Sequence, residues 1–171
     1  MVQHYASYRA SRIQDVSPGS VFAFGMRKST FIGVAMEPPS EGDLPSVAVI
    51  HPGHPEGDAR PGMYFGNVLN GKPLLVVPEA KFVVDVQVAH FDSNDFDAPA
   101  GAMFLIEDQL HLAILTGHSG TRTVNLETGG FSKVHDLHRY VWFSGWQLHS
   151  PDINGKWIPI CEYKLPDKRI S

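Results

Sequence analysis

The 171-residue chain holds one cysteine, Cys161, and this scarcity excludes an intrachain disulfide and any cysteine-rich zinc centre. It also lacks a strong charge of either sign. A formal net charge of -4 and a pI near 6.1 give no electrostatic draw toward phosphate backbones. Its basic residues are scattered as Arg9 and Arg12, Arg27 and Lys28, Lys168 and Arg169, so nucleic acid is not an expected partner. Long apolar runs are missing as well. The stretch "PLLVVPEAKFVVDVQVA" is broken by Pro78, Glu79, Lys81 and Asp85, and no segment reads as a bilayer span. The start, "MVQHYASYRASRIQD", has no apolar signal core, and a soluble cytoplasmic protein is the expectation. No phosphate-cradling glycine loop, dinucleotide fingerprint or kinase set occurs.

What is present points to strands. The chain is 43% hydrophobic, enough for a packed core, and its 13 prolines and 16 glycines punctuate short runs rich in Val, Ile, Phe and Trp. In "KFVVDVQVAH" Phe82, Val84, Val86 and Val88 fall on one face, against Lys81, Asp85 and Gln87. In "TVNLET" Val124 and Leu126 alternate with Thr123, Asn125 and Glu127. Period two indicates half-buried antiparallel strands. The one helical signal is at residues 3–14, where Tyr5, Tyr8, Arg9, Arg12 and Ile13 suit one or two turns before Pro18.

Blocks recur at a near-constant offset. "GSVFAF" (19–24) matches "GAMFLI" (101–106), "FIGVA" (31–35) matches "HLAIL" (111–115), and "SVAVI" (46–50) pairs loosely with "TVNLE" (123–127). "NGKPLLV" (70–76) matches "NGKWIPI" (154–160), each led by an Asn-Gly hairpin cue. The fold expected is all-β: two tandem, similar, small antiparallel barrel-like or SH3-like halves packed together, after a short N-terminal helix or extended arm. The arm is 1–14, the halves 15–90 and 99–166, the acidic linker 91–98 and the tail 167–171. On this pattern the Phe-centred runs at 21–24 and 103–106 are the first core strands of their halves.

"PGSVFAFGMRKSTFIGVAM" resembles the opening hairpin of SH3-like bacterial immunity proteins, in which a small-residue turn and a Phe-containing strand lead into a Gly-containing strand. In the second copy, "AGAMFLIEDQLHLAIL", Ala113 stands where Gly33 does. The likeness spans about twenty residues per copy and carries no diagnostic functional residue.

Several constellations bear on chemistry. Two His-x-x-His pairs, His51 with His54 and His135 with His138, lie 84 residues apart, and Glu56, Asp58 or Asp136 would complete a zinc site. Against this, the first pair sits among Pro52 and Pro55, no His-Glu-x-x-His occurs, and solvated loop histidines are the simpler reading. "DSNDFD" (92–97) lacks the ordered ligands and turn glycine of a calcium loop and reads as a solvated linker. "GHSG" (117–120) reads as a turn, not a nucleophile elbow. Cys161, in phase with Trp157, Pro159 and Tyr163, reads as a small core residue.

No catalytic set survives and no cofactor is expected, with zinc the metal the histidines would take. The aromatic group Tyr140, Trp142, Trp146 and Trp157 splits between core and surface, and its exposed members are the expected anchors for a partner. The expectation is a non-enzymatic protein-binding module, one form being a bacterial inhibitor or immunity-type protein that neutralises a toxin or enzyme. Alternatives are a His-rich metal-binding protein or metal-dependent hydrolase, and a small-molecule sensor or carrier with its ligand between the halves near Tyr140 and Trp142. A second copy of the chain is a further candidate partner.

Overall fold

A computed structural model describes residues 8–26, 29–51, 61–66, 69–91, 100–116, 121–132 and 140–164, mostly as antiparallel β-structure. The first sheet holds β1 (Arg9–Ser11), β2 (Val21–Met26), β3 (Ser29–Ala35), β4 (Val47–His51), β5 (Tyr64–Phe65) and β6 (Leu74–Val76), in the order β1-β6-β2-β3-β4-β5. The third holds β7 (Lys81–Val84), β13 (Gly145–Pro151) and β14 (Trp157–Lys164), with β13 central. Between them in sequence, β8 (Ala89–His90), β9 (Met103–Ile106), β10 (Gln109–Leu115), β11 (Thr121–Asn125) and β12 (Trp142–Phe143) form the second sheet, in the order β8-β12-β9-β10-β11. Beyond β11, Phe131 bridges to Val124. Neither large sheet closes on itself among the described residues.

The first two sheets share an arrangement: a preceding strand, a late strand, then a three-strand meander. Their registers correspond row by row. Across the first sheet Arg9, Val76, Phe22, Gly33 and Val49 face one another in turn. Across the second the row is His90, Trp142, Phe104, His111 and Asn125. The residue in the place of Gly33 is therefore His111, not Ala113, and Phe31–Ala35 lies opposite in role to Gln109–Ala113 rather than His111–Leu115. Strand length is the cause. Beyond the shared row β2 and β3 stay paired from Phe22 and Gly33 out to Met26 and Ser29, whereas β9 and β10 run only from Phe104 and His111 to Ile106 and Gln109 before turning on Glu107 and Asp108, both at positive φ (49° and 64°). The fourth sequence block does not correspond: β6 pairs with β2, but β14 lies in the third sheet and β12 takes the place beside β9.

Three apolar clusters hold the chain together. Phe22, Phe24, Phe31, Val47, Val49 and Leu74 fill one face of the first sheet, with Phe24 stacked on Phe31 at 5.4 Å. A smaller cluster, Ala102, Phe104, Ile106 and Ala113, lines the matching face of the second, flanked by Tyr140 and Trp142. The largest is common to all three sheets: Val34 and Ile50 meet Leu112, Ile114, Trp146 and Leu148. Each such side chain contributes about 1.5–3 kcal/mol on burial, so the shared cluster is the main force joining the sheets.

Two glycine corners lock that junction. Gly19 (φ 81°) donates its N–H to the Ala35 carbonyl at 2.8 Å, and a Cβ there would overlap the Glu127 carbonyl in the turn after β11. Gly101 (φ 95°) donates to the Ala113 carbonyl at 2.8 Å and abuts Pro61, after β4. The exchange is reciprocal: Glu37 N–H donates to the Gly129 carbonyl at 3.0 Å and Leu115 N–H to that of Gly62 at 2.8 Å. The small-residue corners ahead of the two Phe-centred strands are thus required by close backbone approach.

Three local expectations are corrected. The N-terminal helix is absent from the described part: Arg9–Ser11 is strand β1, whose backbone pairs with Leu74–Val76, and only a 3₁₀ turn, Ile13–Asp15, follows. Residues 1–7 lie outside the described residues. The alternating run from Lys81 breaks at Asp85, whose carboxylate accepts from Gln87 N–H at 2.9 Å and caps a 3₁₀ turn, Val86–Val88. Phe82 and Val84 pack on the core, whereas Val86 is exposed. In β11 Thr123 and Asn125 are buried along with Val124, because this strand is covered on both faces.

Candidate functional site

The aromatic group does not assemble into one patch. Trp146 is only 3% exposed: its ring packs edge-on to Phe82 and its indole N–H donates to the Gly101 carbonyl at 3.1 Å. Trp142 and Tyr140 flank the small cluster of the second sheet, with Trp142 stacked on His90 at 3.9 Å. As alternation required, Trp142 and Phe143 take opposite faces, Phe143 entering the shared core. Trp157 stands apart on β14, 37% exposed, with Lys81 Nζ 4.1 Å above its ring.

Trp157 belongs to the outer face of the third sheet. Cross-strand pairing sets Pro151 opposite Trp157, His149 between Lys81 and Pro159, and Gln147 between Val83 and Glu162. His149 Nε2 bonds Gln147 Oε1 at 2.9 Å, and Gln147 Nε2 donates to Glu162 at 3.4 Å. At the tip of the β13–β14 hairpin the Asp152 carboxylate accepts from Asn154 and Lys156 N–H, leaving Ile153 76% exposed beside this face. A bulge between Leu148 and His149 breaks the phase of β14. Cys161 consequently pairs with Leu148 on the inner side with Tyr163, not with Trp157 and Pro159. Burial pushes its thiol up to about 12, far from a reactive thiolate.

Lys81 also lines an open cleft of about 620 Å³ where the first two sheets meet. Val21 and Val77 from one side, Leu110 and Leu126 from the other, make its apolar floor, with Phe82 on the wall. Glu79, Asp108 and Glu127 are the acidic residues of its lining. Glu127 is tied in by Gln109 Nε2 at 3.0 Å, and Gln109 in turn accepts from Asn125 at 2.6 Å. Glu79 (φ 51°) and Asp108 occupy left-handed backbone positions that glycine would take with less strain, at a cost of about 1–3 kcal/mol each. Nothing in the sequence pattern marked this cleft, because its lining comes from four separated segments. Neither Tyr140 nor Trp142 is part of it.

Of the four histidines considered as metal ligands, His51 ends β4, half-buried, its pKa lowered by burial. His54, His135 and His138 lie outside the described residues, as do the acidic stretch at 92–97 and "GHSG" at 117–120. Among the described residues no three His, Cys, Asp or Glu side chains group as metal ligands, and no helix is long and apolar enough to cross a membrane. The histidine that sequence reading passed over is His111, 5% exposed, with no hydrogen-bond partner at Nδ1. Correct alignment of the two sheets is the signal that finds it. Comparison with protein-family models, curated proteins and solved structures gives no match for this chain.

Proposed function

We propose that the protein is a non-enzymatic binding module that docks another protein on the continuous surface running from Trp157 across Lys81 into the junction cleft. One observation carries the reading: Lys81 both lines the cleft and covers Trp157, joining an aromatic anchor to a recess with an apolar floor and a polar mouth. That combination of a half-exposed tryptophan, an adjacent pocket and a polar rim is how protein interfaces concentrate affinity. Neutralisation of a toxin or enzyme is one concrete form of this role. The scaffold we infer to be a tandem duplication of an SH3-like unit, supported by the shared strand order, the row-by-row register and the reciprocal glycine corners.

The test compares affinity capture from the native source by the wild-type chain, Trp157→Ala, and Val86→Ser as an exposed control outside this surface. A stoichiometric partner held by the wild type and by Val86→Ser, and lost from Trp157→Ala, is expected. A partner held equally by all three, or none at all, contradicts the reading.

A further inference from the structure

We infer that the junction cleft receives a basic side chain, arginine or lysine, presented by the protein partner; this rests on the docking reading above and specifies the partner's chemistry. The floor of Val21, Val77, Leu110 and Leu126 favours an aliphatic or planar group. The mouth excludes most such ligands. Glu79, Asp108 and Glu127 oppose any carboxylate or phosphate, and leave a wholly apolar group with desolvated carboxylates beside it. Among the described residues the cleft's one cation is Lys81, which is held over the Trp157 ring at 4.1 Å.

An arginine or lysine meets both demands, because its methylene stem lies along apolar surface while its head stays at the carboxylates. Support for the acids is built in. The chain from Asn125 through Gln109 to Glu127 fixes one carboxylate, and two tight turns retain Glu79 and Asp108 where glycine would be less strained. Since the cleft is open to solvent, the attraction is of the partly screened kind and weakens with added salt.

The probe is the tripeptide acetyl-Arg-Arg-Arg-amide, titrated into the full chain and followed through the methyl resonances of Val21, Val77, Leu110 and Leu126. Its citrulline counterpart has nearly the same shape and no charge. The arginine peptide is expected to shift those methyls and to bind about tenfold or more tightly than the citrulline peptide, with the advantage lost at high salt. The Asp108→Asn/Glu127→Gln pair is expected to remove the same factor. Equal binding of the two peptides, shifts elsewhere, or none with the wild-type chain overturns the inference, and the wild-type comparison needs no variant to fold. Failure here with a Trp157-dependent partner intact retires the cleft assignment alone. Cleft shifts with a partner indifferent to Trp157→Ala retire the docking reading instead.

Discussion

Gly19 shows how a single missing Cβ can hold two sheets together. Its backbone is in the left-handed region and its Cα faces the Glu127 carbonyl, so Gly19→Ala meets both torsional strain and a backbone clash that no rotamer relieves. A loss of about 2–4 kcal/mol in urea-derived stability is expected. Gly25→Ala, with open space and ordinary φ, is expected to stay within about 0.5 kcal/mol. His111 supplies a second residue-scale test. Burial lowers its pKa below 6.5, against a smaller opposing pull from Glu107, so the fold favours the neutral ring. A group with a depressed folded pKa that is neutral when deprotonated contributes fully above its unfolded value, and the contribution is lost as pH falls below about 6.5. His51 shifts the same way by burial. Urea midpoints taken near pH 7.5 and about pH 5 are expected to differ less in His111→Leu than in the wild type; an unchanged difference would count against this account.

At the scale of elements, period two identified strands but could not set their ends or registers. Val86 continues the alternation of Phe82 and Val84 in sequence, yet the Asp85 cap turns the chain away before it. The offset between the two Phe-centred strands was legible because Gly19 and Gly101 do the same work in both. The match of "FIGVA" to "HLAIL" was misplaced because the paired arms of β9 and β10 end sooner than those of β2 and β3, and the turn at Glu107 and Asp108 lacks the glycine that usually marks a hairpin end. Asp108→Gly is therefore expected to stabilise the chain by about 0.5–1 kcal/mol while weakening binding of the arginine peptide proposed for the cleft, an opposition that urea denaturation and a peptide titration together would detect. The bulge in β14 was equally invisible in sequence, and it turns Cys161 inward. With its thiol pushed up to about 12, Cys161 is expected to resist iodoacetamide near pH 8 in the native protein and to react fully in urea. Rapid native labelling would place the thiol elsewhere.

For the whole molecule, the all-β class followed from composition and alternation, whereas the candidate site did not. Trp157 stood out in the sequence as a candidate anchor, but the cleft that Lys81 also lines is a product of packing: Gly19–Val21, Val76–Phe82, Asp108–Leu110 and Leu126–Glu127 converge only because two sheets share one core. The shared core is central, since the proposed docking surface spans the junction and requires the sheets to stay together. All three tryptophans lie between residues 142 and 157, in the second and third sheets, so their fluorescence reports that part of the chain, and far-UV circular dichroism reports all of it. The account predicts that urea unfolds both signals in one coincident transition. Two separated transitions, with the tryptophan signal lost while much of the β-sheet signal persists, would contradict it.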